Sequence, residues 1–303
     1  MIRQTAFEGT QPLLKGGLHC HTTRSDGLLS PEEVIRLHGR YGYDFLALTD
    51  HRIYNRTDYA PDSGVLILPG MEMDRLLALP GRRWFHTVCL GPAGDPPFAQ
   101  DERFESGVVD DAEAYQPLLD SLHAAGFLTI YCHPEWSMTP ARLFEKQRGN
   151  FAMEIWNSGC VLENGLDGNA AYWDELLLQG IRIFGVATDD GHARHHHGNG
   201  WVRVRAEKNV PDILRALREG AFYASCGPEL HDFYIADGKA VVCCSPAERV
   251  AFRCGNRPLL LAHAGEGALT RAEIPVPEAA PYLRAEVVDA QGRKAWTNPI
   301  FLS

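Results

Sequence analysis

Short apolar runs alternate with segments of helical spacing from about residue 13 to residue 225, and many of the runs end in a histidine or a carboxylate. The stretches 13–18, 44–49, 65–69, 127–132, 152–156 and 181–187 are near-continuous apolar runs bounded by turn residues and read as strands. Ser30-Pro31-Glu32-Glu33 opens a helix that runs through Tyr41, with a capping serine, proline at the first helical position and acids in the first turn. Further helices are predicted over 111–125, over a short stretch from Thr139-Pro140, over 167–179 and over 211–219; Gly126, Gly180 and Gly220 close three of them. Strand–helix alternation of this kind predicts a parallel sheet with helical crossovers, curled into a barrel. After Gly227-Pro228 the pattern changes. Runs at 233–235, 240–244, 250–252, 259–262 and 283–288, with turns at Asp237-Gly238 and Gln291-Gly292, predict a small antiparallel sandwich and no helix. The expected organisation is an α/β barrel over 1–228 and a β-rich domain over 229–303.

The residues at the strand ends carry the chemistry. Alternation along the first strand points His19 and His21 the same way and Leu18 and Cys20 the other. Neutral imidazole is a good ligand for zinc, iron, nickel and copper, so two of them aimed at one point suit a divalent cation. Later runs end in Asp50-His51, in Glu72 after Pro69-Gly70-Met71, in His133 after Cys132, and in Asp189-Asp190-Gly191-His192; His86 sits within Trp84-Phe85-His86-Thr87-Val88. A parallel barrel gathers its active site at the C-terminal ends of its strands. Repeated polar groups at such positions cost free energy unless something coordinates them, which favours a metal site over packing.

Composition narrows the function. The chain has 303 residues, 45% hydrophobic and 22% charged, with a formal net charge of -10. That charge argues against a long nucleic acid as partner, because a phosphate backbone needs a basic surface; a small phosphorylated substrate at a cation site remains compatible. The first eight residues lack the apolar stretch of a signal peptide, and no run approaches a membrane span. The eight cysteines contain no C-x-x-C pair and read as reduced, mostly buried thiols. These features predict a cytoplasmic location.

The motifs His19-x-His21 with Ser25-Asp26-Gly27, Thr49-Asp50-His51, Gly70-Met71-Glu72, His86, Cys132-His133-Pro134 and Asp190-Gly191-His192 resemble those of the polymerase and histidinol phosphatase (PHP) family of metal-dependent hydrolases. The resemblance covers about residues 14–226. The segment Phe222-Tyr223-Ala224-Ser225-Cys226-Gly227-Pro228 and the tail resemble the stand-alone bacterial branch that includes carbamate hydrolases. The resemblance implies a distorted seven-stranded β/α barrel with up to three metals at its mouth, and a ligand set. His19, His21, Glu72 and Asp190 would surround one cation; Glu72 would bridge to a second, completed by His86 and His133; Asp26, His51 and His192 would hold a third. Two or three zinc, manganese or iron ions are therefore expected, with Glu72, Asp190 and His192 as the catalytic candidates. Asp189 would lie outside the ligand set.

Arg24, Arg52 and Arg194 lie next to ligand segments, where a guanidinium can fork onto phosphate. Within His195-His196-His197, read as a loop at the barrel mouth, His196 joins them as a substrate-binding candidate. Glu154 either orients a ligand histidine or makes a core-edge hydrogen bond, and Asp50 supports the site from behind His51. The leading expectation is a phosphoesterase on a small phosphorylated metabolite or nucleotide, working through hydroxide activated by several cations. The alternatives are hydrolysis of a carbamate, amide or ester with the same site, and a non-catalytic metal-stabilised binding protein. The bridging lysine that an amidohydrolase would place at a strand end is not evident in the sequence.

Overall fold

A computed structural model describes residues 4–7, 9–95, 97–265 and 267–302. The predicted helices form where their end signals place them. Helix Pro31–Arg40 opens on a capping box, in which the Ser30 hydroxyl accepts from Glu33 N (3.3 Å) and the Glu33 carboxylate accepts from Ser30 N (2.9 Å). Asp111 caps helix Ala112–Ala124 through Ala114 N, and Asn209 caps Val210–Glu219 through Asp212 N. Helix Asn169–Leu178 and the four-residue Ala141–Phe144 complete the expected set. One further helix, Ser158–Asn164, follows directly on strand Asn150–Asn157, with Asn157 as its cap.

Among the described residues the named strands form no continuous hydrogen-bonded ring and make two sheets around the site. One runs Phe184–Thr188, Asn150–Asn157, Leu128–Tyr131, Trp84–Leu90, Gly70–Leu77 and Val108–Val109. The other contains Phe222–Ser225, Trp201–Arg205, Leu13–Gly17, Phe45–Ala47 and Leu66–Leu68. Isolated bridges, Cys20 to Gly191 and His51 to Glu72, join the two where the metal-type residues sit. The expected mixed α/β architecture is found, but the expected parallel pairing is corrected at two hairpins. Gly70–Leu77 and Trp84–Leu90 pair antiparallel as a hairpin, as do Trp201–Arg205 and Phe222–Ser225. The parallel pairs are confined to Leu13–Gly17 with Phe45–Ala47 and Leu66–Leu68, to Leu128–Tyr131 with Asn150–Asn157 and Phe184–Thr188, and to a short contact with Val108–Val109.

Residues 229–302 contain strands and, among the described residues, no helix. A four-stranded antiparallel sheet includes Leu230–Ala236, Lys239–Ala247 and Leu269–Pro275. It packs through Phe233, Val242 and Cys244 against Phe252, Leu283 and Val287 of a second layer. That second layer continues the site-bearing sheet, because Lys294–Thr297 pairs with Phe222–Ser225. A buried ion pair adds to the junction: Arg284 donates to both oxygens of Asp174, at 2.8 and 2.5 Å, from strand Tyr282–Val288 to helix Asn169–Leu178.

Candidate metal centre

The nine residues expected as ligands converge. Asp26, His51, Glu72, His86, His133, Asp190 and His192 line one cavity of about 250 Å³. His19 and His21, both buried, lie beneath it. The His19 and His21 Nε2 atoms stand 3.1 Å apart. Each also faces Asp190 Oδ1, at 3.3 and 3.1 Å, and an oxygen of Glu72, at 3.5 and 3.4 Å. Glu72 Oε1 lies 2.9 Å from His86 Nδ1 and 3.5 Å from His133 Nε2, and Glu72 Oε2 lies 2.9 Å from His51 Nδ1. The Asp26 carboxylate reaches His21 Nδ1, His51 Nε2 and His192 Nε2 at 3.4–3.5 Å.

Backbone and buried acids hold this arrangement. The Glu154 carboxylate accepts from His19 Nδ1 (2.7 Å), His133 N (3.0 Å), Asn157 Nδ2 (2.8 Å) and Thr188 Oγ1 (2.7 Å). Because a carboxylate accepts there, His19 carries its proton on Nδ1 and turns the Nε2 lone pair inward. Asp50 accepts from Thr22 N, Thr22 Oγ1 and Ser25 Oγ at 2.7–2.8 Å, fixing the turn between His21 and Asp26. His133 and Asp190 both adopt left-handed backbone, at φ 26° and 46°, unusual for residues with side chains and common where a site dictates direction. Gly159 must lack a side chain, because a Cβ there would meet the Asp190 carbonyl oxygen at 2.9 Å.

The residues fit divalent cations. For bonds of about 2.0–2.1 Å, two ligands of one tetrahedral ion lie about 3.3 Å apart, close to the separations found here. His51 Nδ1, Glu72 Oε2 and Asp190 Oδ1 are buried and, although they stand 2.9–3.3 Å from neighbouring ligand atoms, make no aligned hydrogen bond; such atoms are costly unless an ion satisfies them. Groups such as His21–Asp26–His51–His192 and His51–Glu72–His86 bring their donor atoms within 4.8 Å of one another. The electrostatics agree. Burial pushes His51 down, but Glu72 and Asp26 overcome it and raise the imidazole to about 11. Burial likewise opposes, and Asp26 and Asp190 dominate, the rise of His192 to about 9. Burial acts to raise Glu72 and Asp190, yet the surrounding histidines hold both well below the usual carboxylate range.

The arginines expected at the substrate point elsewhere. Arg24 pairs with Asp101 (2.5 Å) and Tyr59, Arg52 pairs with buried Asp74, and Arg194 is exposed; none lines the cavity. His196 does line it, and its Nε2 donates to Glu163 Oε1 at 2.7 Å, which also receives His195 Nε2 at 2.9 Å. Glu163, Asn164 and Cys160, carried by helix Ser158–Asn164, and Trp136 also line the cavity, and no motif marks them in the sequence. Trp136 is 43% exposed at the cavity wall, its ring edge-on to His86 and His133 at 5.7 and 5.2 Å. The signal available for it was position: it lies three residues after His133 in a turn-rich segment.

The fold is that of PHP-like proteins. A two-domain protein from Bacteroides vulgatus, containing a predicted PHP-like metal-dependent phosphoesterase, matches over 98% of both chains at 16% identity and a TM-score of 0.51. An amidohydrolase from Chromobacterium violaceum, with bound sulfate and no metal, matches 59% of this chain and 87% of its own at 18% identity and a TM-score of 0.40. In sequence, a 5'-3' exoribonuclease of Haemophilus influenzae is 38% identical over 63 residues, 20% of this chain. That match spans 23% of the exoribonuclease, about a quarter of its length. No protein-family model matches the chain.

Proposed function

We propose that this protein is a metal-dependent hydrolase, a phosphoesterase acting on a small phosphorylated molecule. The carrying observation is the convergence of nine metal-type residues with orphaned buried donor atoms, seven lining one cavity and two buried beneath it. In this reading His19, His21, Asp26, His51, Glu72, His86, His133, Asp190 and His192 are the ligands, and zinc, manganese and iron suit the mixed donor set. When bound, such ions supply an acidified water and polarise the oxygen of the bond under attack.

The chain's own residues do the rest. Glu72, with both oxygens among imidazoles, spans two halves of the cluster and fixes their spacing. Glu154 and Asp50 hold His19 and the 22–25 turn in place. The Glu163–His196 pair stands across the mouth, where its hydrogen bonds fix that wall against the entering substrate. A cavity of about 250 Å³ falls just below the usual ligand sites of about 300–1,000 Å³ and suits a small substrate group. The phosphate-ester assignment is supported by the description of the whole-chain structural relative.

A second reading, hydrolysis of a carbamate, amide or ester, is favoured by one observation: among the described residues no lysine or arginine lines the cavity to meet a dianion. Metal-loaded enzyme offered an aryl phosphate, a 5'-nucleotide and an aryl carbamate separates the two. Chelator-sensitive release of phosphate is the expected result; turnover of the carbamate alone would replace the phosphoesterase reading. The division into a hydrolase unit over 1–228 and an accessory unit over 229–303 is part of the same proposal.

A further inference from the structure

Behind the cavity lies a second group of metal-type side chains that the hydrolytic site does not use. His38, on helix Pro31–Arg40, Asp189 and His197 are 0%, 1% and 3% exposed, and their donor atoms lie within 4.8 Å of one another. Hydrogen bonds fix the polarity of His38. Its Nδ1 lies 2.8 Å from the Val34 carbonyl oxygen, which can only accept, so Nδ1 carries a proton and donates. The neutral ring then presents the Nε2 lone pair to Asp189 Oδ2 at 3.3 Å, acceptor against acceptor. Two things resolve such a contact: a second proton on His38, or a cation between the two atoms.

His197 favours the cation. Its ring lies 5.2 Å from that of His38, and both its nitrogens are buried without a hydrogen-bond partner. A protonated His38 paired with Asp189 leaves those nitrogens bare; a cation takes one of them. The ring is also tightly seated, since a Cβ on Gly191 would come within 2.3 Å of it. Asp189 has a place for an ion. Its Oδ1 accepts from Asn199 N and Gly200 N, each at 2.8 Å, and Oδ2 accepts from Gly198 N at 2.7 Å; the Tyr43 hydroxyl reaches Oδ2 only at 3.5 Å and stands nearer the Gly200 carbonyl oxygen, at 3.3 Å, so Oδ2 keeps a lone pair toward His38. The 3.3 Å His38–Asp189 separation is that of two ligands sharing one tetrahedral ion at about 2.0–2.2 Å. A ligating histidine that donates its other N–H to a backbone carbonyl is the usual arrangement in metal sites.

We propose that His38, Asp189 and His197 hold a separate structural divalent cation, zinc by its donor set of two imidazoles and one carboxylate. It ties helix Pro31–Arg40 to the 197–200 loop and so braces the segment that presents Asp190 and His192. The inference does not depend on which bond the enzyme hydrolyses.

The test is zinc stoichiometry of the full chain, reconstituted with zinc, stripped of loose metal on a chelating resin and measured by elemental analysis. His38→Ala and His197→Ala should each hold one zinc fewer per chain than the wild type, and the double variant no fewer than either single one. Single variants that are folded and keep the wild-type ratio overturn the proposal, as does a further loss in the double variant. Should either substitution strip the protein of all metal, a zinc-edge anomalous map of wild-type crystals decides. A peak among His38 Nε2, Asp189 Oδ2 and a His197 nitrogen sustains the site. A map with metal at Glu72 and none at this triangle rejects it.

Discussion

Glu72 has the most contacts to lose at the residue scale, because its two oxygens serve His19, His21, His51, His86 and His133 together. Glu72→Gln keeps the shape and removes the charge. It should lower turnover by about a hundredfold or more and reduce the metal retained after desalting; unchanged metal content with unchanged turnover would remove Glu72 from the site. Trp136 calls for a different readout. An exposed indole at a cavity wall offers a face to an apolar part of the substrate, worth about 1 kcal/mol, so Trp136→Ala should raise KM about fivefold and leave kcat nearly unchanged. A fall in kcat with KM constant would mean that Trp136 acts by propping His86 and His133. Most of the ligand residues were legible in the sequence because they stand in a strand or just beyond its end; Asp26, in the turn after His21, came only with the family motif. Arg24 and Arg52 were adjacent to those ligands in sequence, but their partners Asp101 and Asp74 are supplied by other segments, so sequence position did not give side-chain direction. Asp189, expected outside the ligand set of the hydrolytic site, is 1% exposed and accepts from three backbone N–H groups, which the sequence did not reveal.

At the scale of elements, local signals sufficed where an end was chemically marked. Ser30 with Glu33, Asp111, and Asn209 with the glycine at 220 place helix ends to within a residue or two. Helix Ser158–Asn164 escaped because its cap Asn157 is also the last residue of a strand, so Asn157-Ser158-Gly159 reads equally well as a turn. The hairpin of Gly70–Leu77 and Trp84–Leu90 escaped for a related reason: apolar runs reveal strands but not their pairing, so alternation with helices suggested parallel neighbours throughout. The marked cap gives a clean prediction. Ser30→Ala removes one half of the capping box and should cost about 1 kcal/mol of stability, read as a lower urea midpoint with unchanged slope. A larger loss, with a changed slope, would mean that the helix start also governs the packing of the site beneath it.

For the whole molecule, the sequence marked a change of character at 228 but not that the two parts share a sheet, since pairing between Phe222–Ser225 and Lys294–Thr297 spans some 70 residues of chain. Charges in the tail are drawn into that junction. Burial acts to raise the Glu286 carboxyl, but Arg253 and Arg284 outweigh it and hold the group below its ordinary 4.5. A carboxylate depressed in the folded state contributes stability above its unfolded pKa, and that contribution is lost as the pH falls below about 4.5 and through the folded value. Wild-type protein should therefore lose thermal stability as the pH falls below about 4.5, and Glu286→Gln should show a shallower fall over that range. Parallel pH profiles would remove Glu286 from the account.

The junction also sets what truncation does. Arg284 is buried against Asp174, with Tyr282 donating to the same carboxylate at 2.8 Å. Removing one partner of a buried pair leaves the other charge without compensation, at a cost of about 3–5 kcal/mol. Arg284→Met should therefore destabilise the full chain by that order, and Asp174→Asn in the same chain should recover part of the loss. Cutting after residue 228 takes away Arg284, Tyr282 and the strand that covers Phe222–Ser225 all at once, leaving an open sheet edge as well as an unpaired acid. The truncated chain should be less soluble and melt lower, while any folded fraction should still retain metal, because residues 229–302 supply none of the nine clustered side chains. Elemental analysis of the monodisperse fraction, beside its melting curve, checks both halves of this expectation. A truncated chain as stable as the full protein but unable to hold metal would reverse the assignment, making the tail part of the metal centre and the Asp174–Arg284 pair incidental to stability.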